Sequence, residues 1–328
     1  MKIGSVTLPN NLMLAPMAGI TDSPFRRMSK AGGAGLVFTE MLSASALARD
    51  SRRTTGMLKF ADEERPIAAQ IFGSELAAVE KSADIIRSMG YDMLNINFGC
   101  PAKKIIKSRG GSALLKDLKS YENVIAASVR GSGGKMPVTV KIRPGLTPDD
   151  DRTEDYVRAA EAAGAEMIII HGRFVSQIHS GDVNFAAIAR AVAAVKIPVV
   201  ANGGIVSELT AEEMLSKTGC AGLMIGRGAI GDFGIFRRIL YYLENKEKLS
   251  APSREERIAM YKEHARLSAE FHGERGGVII LRKLAAFYLK GLPGAKRTRE
   301  AINKAESVRA FNDALDGIFE HQWSVDSE

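Results

Sequence analysis

Cys100 is the residue whose setting first suggests chemistry. It ends the stretch Met93–Pro101, MLNINFGCP, in which a short apolar run with strand character stops at Gly99-Cys100-Pro101. That tripeptide can neither continue a strand nor begin a regular helix, so the thiol sits on a loop just beyond a strand's C-terminal end. Asn97 stands three residues before it, and an acid-free basic segment follows with Lys103, Lys104, Lys107 and Arg109. A thiol, an amide and a cluster of cations at one strand end is an arrangement suited to chemistry. The competing reading is a cysteine packed as a small hydrophobe.

Similar groups recur at the ends of other apolar runs. In chain order these are Ala15-Pro16-Met17-Ala18-Gly19, Thr39-Glu40, Gln70, Asn97 with Cys100, Lys141 with Arg143, His171 with Arg173, Asn202-Gly203-Gly204, and Gly226-Arg227-Gly228. Singly, each has an ordinary structural explanation; as a set they predict one shared pocket. The two glycine-rich ends admit close approach of backbone N–H groups to phosphate oxygens, and Arg227 adds charge, so a phosphate-bearing ligand is expected there. Gly226-Arg-Gly-Ala-Ile-Gly231 also matches GxGxxG. No further βαβ unit follows it, which argues against a dinucleotide fold.

Positioning such groups requires alternating strands and helices. Strands are predicted over residues 12–17, 36–39, 67–71, 93–97, 138–142, 167–171, 198–202 and 222–225. Helices are predicted over 23–30, with Ser23 as its cap, and over 75–89, 121–129, 154–163, 185–195, 210–217 and 234–243. Eight such units within about 240 residues fit a closed (β/α)8 TIM barrel, with an open doubly wound sheet as the alternative. The barrel is assigned to residues 1–245. A polar linker with a helix cap at Ser253 leads to a small all-helical C-terminal domain, residues 250–328, with helices over 254–271, 278–290 and 298–319. Within it Leu281–Arg299 carries Arg282, Lys283, Lys290, Lys296, Arg297 and Arg299 and no acid, with Phe287 and Tyr288 interleaved. That composition fits a nucleic-acid surface, or one solvated helix face with the aromatics in the core.

The totals agree. The chain has 328 residues, 45% hydrophobic and 25% charged, with a formal net charge of +7, which favours an anionic partner. No apolar run reaches the ~18 residues of a membrane span, and the N-terminus lacks a signal-peptide core. Two cysteines, Cys100 and Cys220, make no disulfide scaffold, so a cytoplasmic setting is expected. The five histidines form no pair at metal-ligand spacing, so no metal is expected. Cys220 reads as structural.

The combination Ala15-Pro-Met-Ala-Gly-Ile-Thr-Asp22, Asn97-Phe-Gly-Cys-Pro101, Lys141-Ile-Arg143, His171-Gly-Arg173, Asn202-Gly-Gly204 and Gly226-Arg-Gly228 resembles the bacterial tRNA-dihydrouridine synthases. The tail segment Gly291-Leu-Pro-Gly-Ala295 is similar to that family's helical domain, most like the B-type branch. The resemblance implies FMN in the barrel mouth, NADPH as reductant and tRNA as substrate. It implies Pro16, Met17 and Ala18 along the flavin, with Gln70, Lys141 and His171 at its ring. Asn202, Gly203, Gly204, Gly226 and Arg227 would hold the phosphate. Cys100 would be the general acid, Asn97, Arg143 and Arg173 would meet the uridine, and Arg282, Lys283, Lys296 and Arg297 the RNA. A monomer is expected. Phe174, Leu284 and Phe287 depart from the family pattern, at positions that bear on RNA contacts rather than on the flavin. The competing functions are a barrel dehydrogenase of a free pyrimidine, such as a dihydroorotate oxidoreductase, and a barrel that binds RNA without catalysis.

Overall fold

A computed structural model describes residues 1–320; the remaining eight predicted tail residues lie outside the described residues. Eight parallel strands surround one axis: β1 Leu12–Leu14, β2 Val37–Ser43, β3 Ile67–Phe72, β4 Met93–Asn97, β5 Val138–Ile142, β6 Met167–His171, β7 Val199–Asn202 and β8 Gly222–Ile225. Ladders join β2 through β8 in sequence, and β8 pairs with β1. The Met13–Leu36 bridge, with Leu14 N–H donating to Leu36 O at 2.9 Å, closes the ring between β1 and β2. The fold is therefore the expected (β/α)8 barrel and not an open sheet.

Strand alternation divides the apolar residues into two cores. Met13, Phe38, Ala68, Met93, Met167, Ile169, Val200 and Met224 fill the barrel interior. Their neighbours in sequence, such as Leu12, Ile67, Leu94, Val140, Ile168, Ala201 and Leu223, face outward into the larger core beneath the helices. A hairpin of Lys2–Ile3 and Val6–Thr7, which periodicity did not reveal, packs Ile3 and Leu8 onto the inner cluster near the strands' N-terminal ends. The other end stays open.

Several local expectations change. The first helix, Ser23–Ala31, is capped by Asp22, whose Oδ1 accepts from Phe25 N–H at 3.2 Å; Ser23 instead donates to Glu64. In the tail, Arg254–His272 carries the expected Ser253–Glu256 capping box. The predicted 278–290 helix is instead Glu274–Leu281, a tight 3-10 turn at Arg282–Leu284 and the short Ala285–Tyr288. The predicted 298–319 helix is two, Ala295–Ile302 and Val308–Glu320, because Ser307 accepts from Ala310 N–H and starts the second.

The tail docks on the barrel through aromatic packing. Tyr261 and Tyr288 stack at 4.0 Å, Tyr288 hydroxyl meets His264 Nδ1 at 2.8 Å, and Phe233 lies edge-on to Phe25 at 4.9 Å and to His264 at 6.0 Å. Gly231 serves this junction: a Cβ there would stand 3.1 Å from the Tyr288 backbone, and its φ is +77°. The last glycine of the GxGxxG match is thus a docking position for the tail. Lys283 Nζ reaches Gly19 O, and His272 Nε2 meets Asp22 Oδ2 at 2.7 Å.

Candidate active site

Strand parity brings the chemistry together. Ala15, Gln70, Asn97, Lys141, His171, Asn202 and Gly226 continue the inward-facing alternation at the C-terminal ends, where barrel chemistry is built. Register places Asn97 beside Lys141 and His171 beside Asn202. All seven line one cavity of about 1210 Å³, with Pro16, Met17, Ala18, Cys100, Arg143, Arg173, Gly203, Gly204 and Arg227.

Beneath it runs a buried polar chain. Asn97 Nδ2 donates to Gln70 Oε1 at 3.0 Å, Gln70 Nε2 to Asn95 Oδ1 at 2.7 Å, and Asn95 Nδ2 to Thr139 Oγ1 at 2.9 Å. Asn95 and Thr139 were missed in the sequence, although each stands two residues before a recognised inward-facing group. Asn97 also shapes the thiol loop: its Oδ1 accepts from Gly99 N–H at 3.1 Å and Cys100 N–H at 2.9 Å. Ser112 holds Cys100 from the other side, its Oγ donating to Cys100 O at 2.9 Å. Cys100 is partly buried and borders the cavity, whereas Cys220 is buried elsewhere and burial pushes its thiol up.

Lys141 Nζ donates to Asn202 Oδ1 at 2.9 Å, and Asn202 Nδ2 donates to Met224 O at 2.8 Å. Burial, with Arg143 nearby, pushes the Lys141 ammonium down to about 7, while Cys100 acts in the opposite sense. Burial and then the cations Lys141, Arg143 and Arg173 hold His171 far below the usual imidazole range, so its ring is neutral. His171 Nδ1 is buried and bonded to no protein atom.

The two glycine-rich strand ends also come together at the mouth. Gly203 and Gly204 have φ of +112° and +74°, and a Cβ on Gly203 would stand 3.3 Å from His171 Cε1. A Cβ on Gly228 would stand 2.7 Å from Ile205 O, so the β7 and β8 loops interlock. The apolar wall of Met17, Met41 and Met224, the neutral imidazole with its unpartnered nitrogen, and the glycine cradle beside Arg227 fit a flat, phosphate-bearing cofactor.

Two expected substrate contacts come out differently. Arg143 is 3% exposed, and four of its five N–H groups go to backbone carbonyls: Nε to Gly99 O at 2.9 Å, Nη1 to Arg173 O and Phe174 O at 3.0 and 2.9 Å, and Nη2 to Ile178 O at 2.7 Å. The spacing of Lys141-Ile-Arg143 could not disclose this, because the acceptors lie on other loops. Arg282 Nη2 donates to Ala305 O at 2.7 Å and braces the tail. Arg173 keeps its place at the cavity, its Nε anchored on Gly181 O at 2.8 Å. Lys296 and Arg297 are exposed and outside every ion pair found among the described residues. The tail also supplies a wall that strand reasoning could not find: Arg257, Phe287 and Lys290 line the same cavity. Tyr288 is core and Phe287 is 40% exposed, so the two aromatics divide between the two expected roles.

Among the described residues no helix is long and apolar enough to cross a membrane, and no three His, Cys, Asp or Glu residues gather as a metal site.

The fold is a TIM barrel whose mouth is lined in part by the C-terminal helices, the arrangement of a barrel enzyme. The dihydrouridine synthase family model matches residues 13–322. A probable tRNA-dihydrouridine synthase of Rickettsia conorii is 38% identical over 317 residues, covering 96% of this chain and 95% of the relative. The tRNA-dihydrouridine synthase B of Pseudomonas aeruginosa is 38% identical over 309 residues, covering 94% and 92%, and that of Proteus vulgaris is 35% identical over 321 residues, covering 98% and 99%. An old yellow enzyme homologue from Zymomonas mobilis shares the barrel, with a TM-score of 0.53 at 14% identity over 78% of this chain and 94% of that one. This chain belongs to the dihydrouridine synthase family, on its B-type branch.

Proposed function

We propose that this protein reduces the C5–C6 bond of uridine in tRNA, using FMN and NADPH, with Cys100 as the proton donor. The carrying observation is that Cys100 opens into the same cavity as the Lys141–His171 cluster, the glycine cradle and the helical-domain wall. Gly203, Gly204, Gly226 and Arg227 would hold the FMN phosphate, Asn202 would set the loop above them, and Pro16–Ala18, Gln70, Lys141 and His171 would hold the ring system. FMN, reduced by NADPH, supplies when bound the hydride that goes to uracil C6. Cys100 gives its Sγ proton to C5, and solvent restores the thiol. The Asn97 and Ser112 bonds hold the backbone on either side of this thiol. Asn97 keeps one Nδ2 proton for a uracil carbonyl, and Arg173 stands at the same wall. Lys283, Lys296 and Arg297 on the tail favour RNA phosphate, and the target base has to leave its stack to enter. A free-pyrimidine dehydrogenase would need the barrel mouth but gives no role to Arg257, Phe287 and Lys290.

The test is dihydrouridine in tRNA. Cells lacking this gene should yield tRNA short of dihydrouridine, and the purified protein with NADPH should restore it. Cys100→Ala should keep its flavin yet lose about 10²- to 10⁴-fold in turnover on that tRNA. Normal turnover by Cys100→Ala removes the proton-donor role, and no restoration by the wild type removes the proposed activity.

A further inference from the structure

We infer that Arg143 is a positioning residue that locks the Cys100 loop to the loop after β6, so that thiol and substrate wall move as one body. This rests on the proton-donor reading of Cys100 above.

The four carbonyls that Arg143 satisfies belong to two separate stretches: Gly99, adjacent to the thiol, and Arg173, Phe174 and Ile178 beyond β6. No carboxylate pairs with it among the ion pairs of the described residues, so a buried cation is held by peptide dipoles alone. That arrangement needs a guanidinium. Its planar fork offers five donors at fixed angles, whereas a lysine offers three from one point and cannot span both loops. The packing agrees, because a Cβ on Gly99 would already touch Arg143 Cγ at 3.4 Å. Just beyond the arginine, Val175 N–H donates to Gly145 O at 3.1 Å and Ser176 N–H to Leu146 O at 2.9 Å, so backbone bonds also tie the β6 loop to the β5 loop. Ile178, whose carbonyl takes the shortest of the four bonds, has φ +51°, a conformation that a β-branched residue rarely adopts unsupported. Removing the guanidinium therefore frees both loops, and proton donation suffers from misplacement rather than from a lost substrate contact.

Arg143→Lys tests this by pre-steady-state kinetics on the holoenzyme. The rate at which tRNA reoxidises reduced flavin should fall about 10- to 100-fold relative to flavin reduction by NADPH in the same sample, with the KM for tRNA changed less than about threefold. Iodoacetamide should alkylate Cys100 faster, read by mass spectrometry. In a Cys100→Ala background, Arg143→Lys should add less than about twofold, since the arginine acts through the thiol. Ser112→Ala loosens the same peptide and should show a weaker form of the same pattern, which serves if Arg143→Lys does not fold. A raised KM with turnover intact, a full additive loss without the thiol, or unchanged alkylation in both variants overturns the inference. Dihydrouridine formation by the wild type is scored separately, so failure of the parent activity is distinguishable from failure of the lock.

Discussion

Asn97→Ala isolates what holds the thiol loop. The Asn97 side chain is 8% exposed and makes three bonds: Oδ1 accepts from Gly99 and Cys100 N–H, and Nδ2 donates to Gln70 Oε1. Truncation leaves two amides and one amide oxygen without these partners. A buried group so stranded costs about 1–3 kcal/mol. Cys100 is partly exposed and water can satisfy its amide, so the loss should total about 2–4 kcal/mol rather than the full sum. Asn97→Asp keeps both acceptor bonds but sets a carboxylate oxygen against Gln70 Oε1 in a buried site, so it should recover less than half of that loss. Urea unfolding of the apoprotein, followed by far-UV circular dichroism, measures both variants against wild type. An Asn97→Ala protein within about 0.5 kcal/mol of wild type would refute the account of this loop.

Gly203→Ala puts a methyl group 3.3 Å from His171 Cε1 at φ +112°, so the purified protein should retain at least about tenfold less flavin; Gly219→Ala, at φ +63° with nothing within 4 Å, should cost stability alone. Lys141 has its folded pKa lowered to about 7 from 10.5, so between those values the unfolded chain binds a proton that the folded chain does not. Stability conferred by this group therefore rises with pH across that window, by at most about 1.4 kcal/mol per unit and less because the side chain is only half-buried. Apoprotein Lys141→Met compared with wild type from pH 7 to 9 should lose that slope, and identical slopes would contradict it. Replacing Lys296 and Arg297 together by Ala should weaken tRNA binding and reduce the log–log salt slope by about 2, with no change in flavin content.

Much of the barrel is written locally. β4, β5, β6 and β8 have the bounds that their short, mostly apolar runs predict, because a strand buried on both faces is largely apolar and carries polar residues only where they point into the mouth or bond one another. The same alternation determines which residue at each strand end points inward. Gln70, Asn97, Lys141, His171 and Asn202 therefore follow from parity once the barrel is accepted. Shorter-range competition defeated the tail. Ser307 starts a new helix inside an unbroken helical pattern, and Arg282–Leu284 tighten to 3-10 as Arg282 reaches Ala305. Partners distant in sequence lay beyond any local pattern. Arg143 meets carbonyls 30 to 44 residues away, and Arg257, Phe287 and Lys290 reach a cavity otherwise built by the barrel. Residue type and period fix which groups can stand at the mouth, because both are properties of the local chain. Which of those groups remains available to a substrate, and which is held by the protein's own backbone, is decided only when the loops close over one another.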